Sequence, residues 1–130
     1  MVSSVGHAGW RRAGVTSSAA LAMSGLAITL DPRGATAALQ LTPESDRGVA
    51  ETRAGLGGTF VALGGWALVR GSPDSYTAVG VTWLGAAAVR LAAIHVDRPR
   101  TDLTYWAYLA AEMAFGMAGI AAAARGRPAP

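Results

Sequence analysis

Two ionisable residues interrupt apolar stretches of this chain and are placed to meet. Arg90 lies in the apolar run of residues 76–96, and Glu112 lies in the run of residues 103–124. The short polar connector between the runs makes the two predicted helices antiparallel neighbours. At about 1.5 Å per residue, Arg90 is roughly 9 Å and Glu112 roughly 13 Å from the connector, a gap that an arginine side chain spans. The sequence therefore predicts an Arg90–Glu112 pair.

This pair has a structural and a functional interpretation. A charge inside a membrane segment is costly and usually has a partner. As a clamp, the two charges neutralise each other and fix the register of two helices. As a functional site, Glu112 takes up and releases a proton, and Arg90 adjusts the proton affinity of that carboxylate. The two residues would then form a polar pocket for a proton or an anion. Tyr108, one turn before Glu112, is placed to donate to the carboxylate, and Arg53 and His95 are predicted at the same end.

The sequence lacks the residues that other kinds of functional site require. Cysteine is absent, and the two histidines, His7 and His95, are predicted at opposite ends, which disfavours a haem or a metal centre. The glycines at residues 55–58 lack the Gly-Lys-Ser/Thr of a phosphate loop, and no Ser/His/Asp arrangement is recognisable. No basic stripe is interleaved with aromatic residues, as nucleic-acid binding requires. We expect no enzymatic activity, no cofactor, no metal and no nucleic-acid partner.

Hydropathy indicates a membrane protein. The chain has 130 residues, 52% of them hydrophobic and 15% charged, and its mean hydropathy is +0.32. Four apolar runs, residues 13–30, 54–69, 76–96 and 103–124, approach the roughly 20 residues that span a bilayer. A soluble bundle of Ala-rich helices is the alternative, but it would show a polar stripe along each helix. We predict an all-α, integral membrane four-helix up-down bundle whose immediate partner is the lipid bilayer.

The segments outside these runs complete the predicted organisation. Residues 1–12 are predicted as a polar tail, residues 31–53 as a polar loop with a surface helix, and residues 125–130 as a second tail within which no helix is expected. The first run could instead be a cleaved signal peptide, but it exceeds the usual roughly 7–15 residue apolar core. Close helix packing is predicted at four glycines, Gly57, Gly58, Gly116 and Gly119.

The number of arginines does not decide the orientation, because five are predicted on each side of the membrane. Arg11 and Arg12 flank the first helix tightly, which favours both termini in the cytoplasm. The long acidic loop of residues 31–53 would then face outward. We expect a multi-pass protein of the bacterial inner (plasma) membrane.

Three stretches of residues 13–124 resemble the DUF4345 family of small four-helix bacterial membrane proteins, whose function is not established. Arg-Ala-Gly-Leu-Gly-Gly at residues 53–58 resembles that family's Arg-Ala-x-Tyr-Gly-Gly. Residues 85–99 are similar to its pattern of a glycine, an arginine and an Asp-Gly-Pro-like turn. Glu112 matches its single helix-four glutamate.

The resemblance implies that Arg53, Arg90 and Glu112 belong to one shared site. The chain departs from the family pattern at two positions, since Leu56 replaces the aromatic residue and Arg98 replaces the turn glycine. If the family's tyrosine contributes a hydroxyl to the polar cluster, the leucine removes it here.

Two functions follow from these features. The first is an accessory or structural membrane protein that packs against a membrane-protein partner or a second copy of itself, through small-residue faces on helices two and four. The alternative is a small carrier or sensor with a polar pocket formed by Arg53, Arg90 and Glu112. A redox subunit or an enzyme is least supported.

Overall fold

Helices make up nearly all of the structure. A computed structural model describes residues 3–127, with side chains from residue 9 onward. Of the chain, 85% is helical, and there is no strand among the described residues. The elements in order are α1 (Ser3–Leu30), α2 (Pro32–Ala37), α3 (Asp46–Thr52), a π-helical segment (Arg53–Gly58), α4 (Thr59–Arg70), α5 (Pro73–Val96) and α6 (Leu103–Gly126). The prediction of an all-α chain is therefore confirmed.

The ends of the long helices carry local capping signals. Gly71 ends α4 in the left-handed conformation, with φ 56°, which a glycine adopts without a Cβ penalty. Ser72 then opens α5 through a capping box with Ser75, and Pro73 occupies the first turn. Asp102 caps α6 by accepting a hydrogen bond from the backbone N–H of Tyr105 at 2.8 Å. These caps fix two short connections, so consecutive helices reverse direction.

The first helix contacts most of the others. It packs against α4 and the π-helical segment, against α6 and, less extensively, against α5. Gly64 of α4 lies against Ala22 of α1, whereas Gly57 lies against Thr29, so these helices are antiparallel. The Ser17 hydroxyl donates to the carbonyl of α6 residue Phe115 at 2.8 Å.

The fifth and sixth helices have the most extensive contact in the molecule. Gly80 of α5 lies against Ile120, and Leu84 lies against Gly116, so these two helices are also antiparallel. A methyl group at Gly119 would lie 2.9 Å from the Cα of Gly80. The two backbones therefore approach closely where both helices carry glycine.

Three of the four predicted packing glycines lie at helix contacts. Gly57 faces α1, and Gly116 and Gly119 face α5. Gly58 does not, because a Cβ there would meet only the carbonyl of Arg53 in its own helix, at 3.8 Å. The reason is rotational: Gly57 and Gly58 are neighbours, and successive residues point about 100° apart around a helix.

Three of the described helices are long and apolar enough to cross a membrane, by length and composition. They comprise Gly9–Leu30, Pro73–Val96 and Leu103–Gly126. The second predicted run is not among them, because residues 54–69 divide between the π-helical segment and the 12-residue α4. By itself α4 is shorter than the roughly 20 residues of a bilayer span.

The N-terminal segment differs from its prediction as a polar tail, because α1 already begins at Ser3. Trp10 packs this N-terminal extension against α5, because the centre of its ring lies 6.2 Å from the ring centre of Tyr76. Ala122 and Ala123 of α6 belong to the same buried cluster. Burial of this aromatic side chain stabilises the additional turns of helix. At the other end, α6 extends to Gly126, whereas residues 128–130 lie outside the described residues.

Candidate functional site

The Arg90 and Glu112 side chains form a two-point ion pair between α5 and α6. Arg90 Nε donates to Glu112 Oε2 at 2.9 Å, and Nη2 donates to Oε1 at 2.6 Å. Glu112 is 5% exposed, and the Arg90 side chain is 21% exposed. Fork-to-fork geometry holds both groups in one orientation and is the strongest form of this pairing. The structure thus brings together the two residues that sequence spacing placed at similar depth.

Two tyrosines of α6 flank the guanidinium. Its central carbon lies 5.3 Å from the ring centre of Tyr105 and 5.8 Å from that of Tyr108. Aromatic faces attract a cation at these distances. The Tyr105 hydroxyl also donates to the backbone carbonyl of Arg90 at 2.7 Å. This residue was absent from the predicted site, although its place three residues before Tyr108, on the same helix face, was a usable signal.

Tyr108 does not make the hydrogen bond that the sequence predicted. We expected its hydroxyl to donate to Glu112, but both carboxylate oxygens of Glu112 accept from Arg90. Tyr108 contacts the pair through its ring instead. Its hydroxyl has no hydrogen-bond partner among the described residues, so this donor is available to a bound molecule.

Arg53 and His95 do not join the pair. The Arg53 guanidinium donates to the backbone carbonyl of Thr29, at the end of α1, at 2.7 Å. It thereby ties the π-helical segment to α1. His95 is exposed near the end of α5. Neither side chain lines the cavity that contains Arg90 and Glu112. The family resemblance implies a site of two arginines and one glutamate, whereas the structure brings together only Arg90 and Glu112.

An apolar cavity of about 400 Å³ adjoins the ion pair. Residues of α1, α4, α5 and α6 form its walls, and α2 with the following turn forms one end. Its polar lining consists of Arg90, Glu112, Tyr108 and Ser24. The apolar lining comprises Ala27, Ile28, Ala35, Leu39, Phe60, Trp83, Ala111 and Phe115. Small-molecule sites have this composition: mostly apolar walls with a few convergent polar groups.

A second, smaller cavity of about 150 Å³ also borders Arg90. Arg90, Tyr108 and Leu39 line both cavities. The remaining lining of the smaller one includes polar groups of the loop end, among them Gln40, Arg100 and Asp102. Arg90 therefore borders both cavities, whereas Glu112 lines only the larger one.

No group of three or more His, Asp or Glu side chains that could hold a metal ion lies between residues 9 and 127, where the side chains are described. Comparisons of the chain with family models, with curated proteins and with solved structures found no match. The relation to DUF4345 therefore stays a prediction from three short motifs, and the site must be interpreted from its own geometry.

Proposed function

We propose that this chain is an integral protein of a bacterial plasma membrane, built as a four-helix up-down bundle. Three membrane-length helices support this proposal. The fourth span would be the apolar residues 54–69, which belong to a helical stretch that runs from Asp46 to Arg70, because the backbone stays helical through both ends of the π-helical segment. Thr52 has φ −62° and ψ −44°, and Thr59 has φ −63° and ψ −44°. A π-helical turn inside an otherwise regular helix changes its phase without ending it.

Within this bundle, the proposed function is the binding of an uncharged amphipathic molecule, as a small carrier or sensor. The observation that carries the proposal is the cavity of about 400 Å³, whose walls are mostly apolar and where the polar groups of Arg90, Glu112 and Tyr108 converge. The apolar body of a ligand would lie among Phe60, Trp83 and Phe115. Its polar group would bind at the ion pair.

The charge of the pair argues for an uncharged ligand. Arg90 and Glu112 cancel, so an added anion or cation would lose hydration without gaining a free counter-charge. Two of the five N–H donors of Arg90 are directed to Glu112, and the others have no acceptor among the described residues. A hydroxyl or carbonyl oxygen is the group that these donors and Tyr108 would bind.

The accessory-protein hypothesis becomes the second candidate. Its predicted interface used small-residue faces, but Gly57, Gly116 and Gly119 pack inside the chain. A Cβ added at Gly65 of α4 or Gly85 of α5 would meet no atom within 4 Å, and the same holds at Gly9 and Gly55, so these glycines are available to a partner. A second membrane protein that stays bound to the purified chain, and is released by Gly85→Leu, would favour this candidate.

A cavity-filling substitution tests ligand binding. Ala111 lines the cavity, whereas its neighbour Ala110 is exposed and outside it. The detergent-purified chain and the variants Ala111→Phe and Ala110→Phe are titrated with hexadecan-1-ol, followed by native mass spectrometry. We expect one bound alcohol, an affinity loss of at least tenfold in Ala111→Phe, and little change in Ala110→Phe. Helical content and thermal unfolding verify that both variants fold.

The same titration with hexadecanoate and hexadecylamine tests the charge of the ligand. We expect both charged probes to bind more weakly than the alcohol. Tighter binding of either one, lost in Ala111→Phe, would keep the cavity as a ligand site and overturn the uncharged class. Binding that is insensitive to Ala111→Phe, or equally reduced by Ala110→Phe, would contradict the cavity itself.

A further inference from the structure

The two ends of the helix assembly differ in charge. One end carries five arginines, all exposed, and a single carboxylate, Asp74; the arginines are Arg11, Arg12, Arg70, Arg125 and Arg127. Contacts across helices place them together: Arg127 Nη2 lies 3.3 Å from Asp74, and Arg11 Nη2 lies next to Gly71. We call this the basic end. At the opposite end, five arginines are outnumbered by six carboxylates: Asp31, Glu44, Asp46, Glu51, Asp97 and Asp102.

A shallow groove of about 460 Å³, open over most of its extent, lies at the basic end on the surface of α1, and all of its lining residues belong to that helix. Arg11, Arg12, Val15 and Thr16 line it. Arg11 and Arg12 have no carboxylate within ion-pair distance among the described residues. The groove therefore combines two unneutralised guanidinium groups with an apolar side chain one turn further along the helix.

An exposed apolar face continues from this groove along α1. Val15 is 41% exposed, Met23 65% and Leu26 44%. With Ala19, these residues recur every three or four positions, so they share one side of the helix. From Val15 to Leu26 the face extends about 16 Å, close to half of the roughly 30 Å hydrocarbon core. A single acyl chain fits this length.

We infer that the basic end and the adjoining face of α1 form a binding site for an anionic phospholipid. Arg11 and Arg12 bind the phosphate, because guanidinium groups match phosphate oxygens in geometry and charge. The acyl chain lies along Val15, Ala19 and Met23. A zwitterionic phospholipid offers the same phosphate but carries a compensating cation, so the site prefers a net negative headgroup. This inference rests on the proposed insertion into a membrane, but not on ligand binding in the cavity of about 400 Å³, which is a separate site.

Matched arginine pairs test the inference. The full chain is purified in detergent and titrated with phosphatidylglycerol and phosphatidylcholine of identical acyl chains, and bound lipid is counted by native mass spectrometry. The test variant is Arg11→Gln with Arg12→Gln. The control is Arg98→Gln with Arg100→Gln, which removes two arginines from the opposite end. Detergent micelles have no sides, so a topology change in cells cannot alter the result.

We expect the native chain to prefer phosphatidylglycerol. At about 1 kcal/mol for each arginine near an anionic surface, each substitution weakens binding roughly fivefold, so the test variant loses at least tenfold and the control little. Because Arg11 also lies near Gly71, Arg12→Gln alone is included and should lose about fivefold. Equal losses in both arginine pairs, no lipid preference, or full displacement by soluble glycerol 3-phosphate would overturn the inference.

Discussion

At the residue scale, the Arg90–Glu112 pair combines a structural and a binding geometry. Two hydrogen bonds and two flanking tyrosine rings hold the guanidinium in place. Both side chains also line the apolar cavity of about 400 Å³. The Arg90 side chain loses little conformational entropy when a ligand binds, because its rotamer is already fixed. The clamp and the pocket of the original alternatives are thus compatible in one arrangement.

The energetic role of the pair is testable by single and double substitution. Glu112→Leu leaves a guanidinium among apolar groups, and we expect the free energy of unfolding to fall by roughly 3–5 kcal/mol. Arg90→Met combined with Glu112→Leu removes both charges and should recover most of this loss. Unfolding in mixed micelles, followed by circular dichroism, measures both variants. A double variant as unstable as the single one would show that the charges themselves are not the source of the cost.

Two tyrosine hydroxyls give a second prediction at this scale. The Tyr76 hydroxyl is buried without a hydrogen-bond partner among the described residues, whereas the Tyr105 hydroxyl donates to the carbonyl of Arg90. Tyr76→Phe should leave stability unchanged or raise it by about 1 kcal/mol, and Tyr105→Phe should lower it by about 1 kcal/mol. Thermal unfolding compares the two variants directly. The reverse order would mean that Tyr76, and not Tyr105, makes the stabilising bond.

At the scale of the helices, glycine determines how closely neighbouring backbones approach. Gly64 lies against the backbone of α1, where a Cβ would be 2.5 Å from the nitrogen of Ala22. Gly65, the next residue, has nothing within 4 Å. Small residues at such contacts allow helices to gain van der Waals contact in a bilayer, where apolar burial alone provides no driving force between helices.

This contrast predicts opposite effects for two adjacent substitutions. Gly64→Ala must displace backbone atoms of α1, so we expect a loss of about 1–3 kcal/mol. Gly65→Ala adds a methyl group in open space and gains helix propensity, so stability should stay equal or rise by up to about 1 kcal/mol. The free energy of unfolding in mixed micelles reports both. Similar losses in the two variants would refute the close approach of α1 and α4.

At the scale of the whole molecule, the two ends of the bundle differ in charge, and this difference predicts how the bundle is oriented in the membrane. The basic end contains Arg11 and Arg12, which lie within α1 directly before its apolar run, while the opposite end is rich in carboxylates. Positively charged flanks favour the cytoplasmic side. We therefore propose that the basic end lies in the cytoplasm and that the connector of residues 97–102 lies outside.

The absence of native cysteine makes this orientation measurable. Thr101→Cys places a thiol in the α5–α6 connector, and Arg127→Cys places one at the basic end. In intact cells, a membrane-impermeant maleimide should label only the first, and after lysis it should label both. Labelling of only Arg127→Cys in intact cells would invert the proposed orientation. Labelling of both would contradict a barrier between the two ends.

The sequence by itself determined the helices and the meeting of Arg90 with Glu112. Both depend on local information: apolar runs long enough for helices, and a short connector that folds one charged helix back on the other. Three of the glycines that pack between helices, Gly57, Gly116 and Gly119, were recognisable for the same reason, since residue size alone permits close approach.

Only the tertiary structure decided which helix faces meet, because a helix can rotate about its axis without any change in its local sequence pattern. That rotation directs Arg53 to the carbonyl of Thr29 and away from Glu112, and it turns Gly58 away from α1. It also places Tyr105 on Arg90 and opens the cavity beside the pair. These outcomes depend on contacts between residues far apart in the chain, which no single run of sequence encodes.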